Sequence, residues 1–221
     1  DAAKNPVSGG NFHGLTRYVM NYIKLLVVYS SSLEHLLRGK KREIPRSLGV
    51  ETFGLSEGLR STAANESESS LAIQVMWLIV HLERNLEEKS KLYSDPSMGF
   101  LFLMNNVHYI VHKVRQSELV SLLGDGWIRK HSGQVRVYAA IYIETAWQKV
   151  FSCLKEEGLV SNGRSGSSSG IATFAIKDRF KKFNLTFEEV HASQSNAIVP
   201  NLQLREELRI AIAERLIPDY R

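Results

Sequence analysis

His108 and His112 stand four positions apart in a largely apolar run, so on an α-helix both imidazoles would share one face, the spacing at which paired histidines ligate zinc. A zinc protease places its general-base glutamate directly after the first histidine, and here that position is Tyr109. The pair is therefore read as packed or solvent-facing histidines. Gly166-Ser167-Ser168-Ser169-Gly170 has the form of a nucleophile elbow, yet it lies in a Ser/Gly tract with no strand before it and reads as a tether. No phosphate-binding glycine loop occurs, and a single cysteine, Cys153, excludes a multi-cysteine zinc cluster. The carboxylate pairs Glu156-Glu157, Glu188-Glu189 and Glu206-Glu207 are adjacent in sequence and would point about 100° apart on a helix, so none forms a shared acid-base site. The residues assign no catalytic group, metal ligand or cofactor, and the chain is read as non-enzymatic.

Two basic clusters carry the remaining chemistry. Arg38, Lys40, Lys41, Arg42 and Arg46 form the first; Lys177, Arg179, Lys181 and Lys182, interleaved with Phe180 and Phe183, form the second. Either could meet an anionic membrane at about 1 kcal/mol per cation, although a short basic run is more often a solvated face. No nucleic-acid reader motif accompanies the charge, so nucleic acid is not expected as a partner.

The elements that must position these groups are helical throughout. Of 221 residues, 43% are hydrophobic, enough for a sizeable core, and 28 Lys plus Arg against 23 Asp plus Glu leave a net charge of +5 that favours anionic partners. One cysteine fits a reducing compartment and a cytoplasmic placement. Residues 1–12 lack the apolar core of a signal peptide and read as a flexible lead-in within a longer protein. The longest apolar runs are interrupted by polar residues short of the ~18 that a membrane span needs.

From His13 to Leu37, Leu15, Tyr18, Val19, Tyr22, Ile23, Leu26, Tyr29, Leu33, Leu36 and Leu37 predict a first helix with one buried stripe. Within it the turn Leu25-Leu26-Val27-Val28 is apolar on every face, and it is expected to be enclosed by neighbours or in part offered to a partner. A long connection, 38–70, follows. We expect Val27 and Val28, with Phe53 and Leu55 of that connection, to form a hydrophobic groove for a partner. Ser67 to Tyr93 predicts a second helix, and Asp95-Pro96 caps a third that runs to about Glu118. Gly124-Asp125-Gly126 marks a turn into a fourth helix reaching about Glu157, with a restart available at Gly133. Residues 158–170 read as a flexible Ser/Gly linker, so that 13–157 forms one helical bundle and 171–221 adds further helices. There Asn184-Leu185-Thr186 offers a bend, and a last helix from about Pro200 ends at Pro218. No segment alternates as a strand should, so the fold class is all-α.

Several phrases carry a family resemblance. Phe102-Leu103-Met104-Asn105-Asn106-Val107-His108-Tyr109, Ala146-Trp147-Gln148-Lys149-Val150-Phe151, His13-Gly14-Leu15-Thr16-Arg17-Tyr18-Val19-Met20-Asn21-Tyr22 and Gln203-Leu204-Arg205-Glu206-Glu207-Leu208-Arg209 resemble the plant seventy-kilodalton exocyst subunit. The resemblance implies an elongated, rod-like stack of antiparallel helical bundles, non-enzymatic, that helps tether secretory vesicles to the plasma membrane during exocytosis. It implies other exocyst subunits as partners and, in plant immunity, a pathogen effector; the family's phosphoinositide-binding residues have no counterpart within this chain. Two positions depart from the pattern: Ala197 stands where the family often has tryptophan, and Asn201 where it has an acidic residue.

Overall fold

The computed structural model describes residues 5–30, 32–33, 70–154 and 169–220. Among these, every regular element is a helix: α1 (Gly14–Val28), α2 (Ser70–Ser90), α3 (Pro96–Arg115), α4 (Leu119–Leu154), α5 (Ser169–Gln194) and α6 (Leu202–Tyr220), with a 3-10 turn at Ser8–Gly10.

α3 is the axis of the bundle. Asp95 caps it, its carboxylate accepting from the Ser97 amide at 2.8 Å, and Pro96 occupies a first-turn position where its missing N–H costs nothing. The last turn carries His112, Lys113 and Arg115, which suit the negative end of the helix dipole. Between the ends, Leu101 through Val107 are all buried, so that α3 is enclosed on every side rather than along one stripe. Leu101, Phe102, Met104 and Ile110 meet Met20 and Ile23 of α1, Leu71, Val75, Ile79 and Leu86 of α2, and Ile128, Val135, Tyr142 and Ile143 of α4 in one core.

Gln116-Ser117-Glu118 returns the chain antiparallel into α4. The turn expected at Gly124-Asp125-Gly126 is confined to Gly124, whose φ of 77° and ψ of 164° interrupt an otherwise long helix; only glycine adopts that backbone without strain. No restart occurs at Gly133, which sits inside the continuous helical stretch. Nor does the chain bend at Asn184-Leu185-Thr186, because α5 runs unbroken to Gln194, anchored by the buried Phe183 and Val190 on either side. α6 runs through Pro218 to Tyr220, beyond the stop expected at that proline. α5 packs on α4 through Val150, Phe183 and Val190, while Leu204 and Leu208 carry α6 into the main core.

Residues 5–12, read from the sequence as a lead-in, carry long-range hydrogen bonds. The Val7 carbonyl accepts from Tyr93 Oη at 2.7 Å, the Gly9 carbonyl from the Ile198 amide at 2.8 Å and the Gly10 carbonyl from Asn105 Nδ2 at 2.7 Å. Phe12 stacks on Tyr109 at 4.8 Å, with the Arg17 guanidinium 5.1 Å from the Phe12 ring centre. Tyr109, the residue standing where a zinc protease has its base, is thus a packing residue.

Candidate interaction surfaces

α1 offers two apolar rows where the sequence suggested one buried stripe. Thr16, Met20 and Ile23 are buried, whereas Leu15, Tyr18, Tyr22, Leu25 and Tyr29 are exposed, Tyr18 at 71% and Tyr29 at 62%. The exposed set falls at intervals of three and four, the spacing of a coiled-coil seam, on the side of α1 away from the core. The expectation that Leu15, Tyr18, Tyr22 and Tyr29 are buried is therefore corrected. Apolar periodicity reports every apolar row of a helix, and contacts with α2 and α3 decide which one is covered. Val27 packs half-buried against the core and Val28 is 64% exposed. Phe53 and Leu55, the other half of the expected groove, lie outside the described residues, as do Arg38, Lys40, Lys41, Arg42 and Arg46.

On α5 the second basic cluster is split. Lys177, Lys181 and Lys182 are exposed, but Arg179 turns inward and donates from Nε to the Cys153 carbonyl at 2.9 Å, closing the end of α4. Phe183 is buried and anchors α5, whereas Phe180 is exposed at 41% beside the lysines.

A cleft of about 460 Å³ opens between α3, α4 and α6. His108, His112 and Arg115 line its α3 wall, Arg136 stands on α4, and Gln203 and Glu207 on α6. Its floor is Val111, Val135, Ile143, Leu204 and Leu208, widened by the small Ala139, Ala140 and Ala211. The His108 and His112 rings stack at 6.1 Å, and Arg115 Nη2 donates to Ser132 Oγ at 2.9 Å. Burial lowers the His108 pKa below the ordinary imidazole value; His112 and Arg115 lower it further, and Glu207 opposes them. Among the described residues, no group of three or more His, Cys, Asp or Glu side chains is arranged to hold a metal. The sequence placed the two histidines on one face, but nothing in their local pattern signalled Arg136 and Glu207 opposite.

The Asn105-Asn106 pair in the middle of α3 is structural. Asn106 Oδ1 accepts from the His13 amide at 2.9 Å and from Thr16 Oγ1 at 2.6 Å, while its Nδ2 donates to the Phe102 carbonyl. Asn105 Nδ2 bridges the carbonyls of Gly10 and Ile198 at 2.7 and 2.8 Å. Two polar side chains in the core thereby tie the start of the chain and the α5–α6 connection to α3, each bond satisfying a group that burial would otherwise penalise. In that connection Ala197 packs half-buried against the core, and Asn201 Oδ1 accepts from the Leu204 amide at 2.8 Å, capping α6 as an acidic residue would.

The chain matches, over residues 1–221, the family described as the C-terminal part of the Exo70 subunit of the exocyst complex. It is 40% identical to exocyst complex component EXO70A1 of Arabidopsis thaliana over 225 residues, covering all of this chain and 32% of that protein. To EXO70C1 of the same plant it is 36% identical over 222 residues, again covering all of this chain and 33% of the relative. Human exocyst complex component 7 is 25% identical over 218 residues, 96% of this chain and 27% of that protein. The chain thus spans about a third of the length of the relatives it matches. A match over its whole length, with a helical bundle to go with it, makes this chain a member of the Exo70 family of exocyst proteins, matching its C-terminal part.

Proposed function

We propose that this chain is a non-enzymatic interaction module of an exocyst subunit, helping to tether secretory vesicles to the plasma membrane through contacts with other exocyst subunits. The observation that supports it is the exposed Leu15-Tyr18-Tyr22-Leu25-Tyr29 row on a helix whose other face is committed to the core. Such a row on a rigid element is what one helix needs to hold another. The protein acts in the cytoplasm, peripheral to the plasma membrane; among the described residues no helix is long and apolar enough to cross a bilayer. A pathogen effector reaching this protein would compete for the same apolar face.

The test is recovery of exocyst subunits from plant extract on the tagged full-length protein, identified by mass spectrometry, with Tyr22→Glu and Val28→Glu in parallel. Loss of named exocyst subunits on substitution is the expected result. Unchanged recovery in both variants would remove α1 from the docking surface, and failure to recover any exocyst subunit would defeat the tethering role.

A second reading rests on the exposed Lys177, Lys181 and Lys182 of α5, which would draw the module to an anionic membrane. Cosedimentation with phosphoinositide-containing liposomes that survives charge reversal at these three lysines would eliminate it.

A further inference from the structure

We propose that the cleft between α3, α4 and α6 docks an amphipathic α-helix of a partner protein, whose acidic flank lies along the His108-His112-Arg115 row of α3. The site rests only on the reading of this chain as a protein-binding module and adds a surface separate from the α1 face.

His108, His112 and Arg115 recur at i, i+4 and i+7, a row about 10 Å long over two turns of helix. α3 contains no Asp or Glu to neutralise it. Arg136 adds a guanidinium from α4, and Glu207 is the one carboxylate among the lining residues. Burial lowers the pKa of His108 first, His112 and Arg115 add to the lowering, and Glu207 opposes it. An occupant that brings several carboxylates in register relieves that field.

The walls select a helix as that occupant. Every lining residue comes from a helix, whose backbone donors and acceptors are already used within the helix. An extended peptide laid in the cleft would find no backbone partners, whereas a helix satisfies its own. An amphiphile with a single anionic head would meet one of these three side chains on α3. A helix with carboxylates spaced at i, i+3 or i+4, and i+7 meets all of them while its apolar ridge enters the floor beside Ala139, Ala140 and Ala211. Gln203 and Glu207 then face its opposite, uncharged or basic flank.

The experiment is fluorescence anisotropy of a fluorescein-labelled designed helix, leucine along one ridge and glutamate on one flank, titrated with the full-length protein, beside a twin carrying glutamine for glutamate. The glutamate helix should bind saturably and at least tenfold more tightly than the glutamine twin. Arg115→Glu with Arg136→Glu, both exposed positions, should weaken it at least tenfold. Ala140→Trp, also exposed, should plug the cleft and abolish binding while leaving the unfolding transition in place. Affinity should rise as pH falls from about 7.5 to about 6, because the anionic flank favours a protonated His108 against His112, Arg115 and Arg136 and adds to Glu207; His108→Asn should reduce that rise. No saturable binding, equal binding of both helices, or binding indifferent to the arginine and Ala140 substitutions would overturn the proposal. So would sedimentation showing that a second copy of the chain fills the cleft. The assay contains no other exocyst protein, so its failure leaves the tethering role standing, and failure of that role leaves this site standing.

Discussion

Thr16 Oγ1 donates a 2.6 Å hydrogen bond to Asn106 Oδ1 across ninety positions of the chain, and both residues are fully buried. The same oxygen accepts from the His13 amide, so one amide side chain fixes both where α1 begins and which of its faces turns inward. Asn106→Ala leaves a buried hydroxyl and an amide without a partner, and we expect it to cost about 2–4 kcal/mol in urea unfolding. Thr16→Val, which keeps the shape and removes one donor, should cost about 1 kcal/mol. The double variant should cost less than the two together, because the second substitution removes a bond already broken. Additive effects would mean that the pair does not couple α1 to α3.

Gly99 lies where the first turn of α3 crosses the end of α2. A methyl group there would come within 2.7 Å of the Ser90 carbonyl oxygen, a backbone atom that cannot swing aside. Alanine gains about 1 kcal/mol of helix propensity over glycine, so a position judged by propensity alone would improve. The crossing should win: Gly99→Ala is expected to lower stability by about 1–3 kcal/mol with an unchanged denaturant slope. A stabilised variant would show that α2 and α3 separate at this point at little cost.

Much of the fold is legible in the sequence. Asp95-Pro96 marks the start of α3 because a cap and a proline act within one turn of themselves, and the absence of alternating segments implies the all-α class. What escapes is whatever depends on partners distant in sequence. α1 carries two apolar rows, and periodicity cannot tell the one that meets Met104 and Ile110 from the one that meets solvent. The His108-His112 pair is visible as a spacing, but its setting depends on Arg136 and Glu207 in helices that only the tertiary fold brings opposite it. Asn184-Leu185-Thr186 looks like a bend by composition, yet Phe183 and Val190 hold both sides of it against the bundle.

His13 caps α1 through a neutral imidazole: Nδ1 accepts from the Leu15 amide at 2.9 Å, which a protonated ring cannot do. Burial, and then the nearby Lys89, lower its pKa from 6.5. A folded-state pKa below the unfolded one gives stability that is fully present above the unfolded value and lost as pH falls through the folded value. His13→Asn keeps a capping side chain that does not titrate. The wild-type protein should therefore lose up to about 1 kcal/mol relative to this variant between pH 7.5 and 5, measured as the difference between their denaturation midpoints. A difference that stays constant over that range would mean that the ring does not cap.

Tyr22 and Ile23 are neighbours in sequence with opposite surroundings, 48% and 0% exposed. Ile23→Ala opens a cavity beneath α1 and should cost about 2–4 kcal/mol. Tyr22→Glu should stay within about 0.5 kcal/mol of wild type, since an exposed side chain loses little by becoming charged. Thermal or urea unfolding of the two variants decides which apolar row of α1 faces the core. If Tyr22→Glu unfolds the protein as Ile23→Ala does, the outer row is already covered, and loss of exocyst subunits in that variant would report misfolding instead of a broken contact. If it folds normally and still loses them, the Tyr18-Tyr22-Leu25 face of α1 is where the subunits meet.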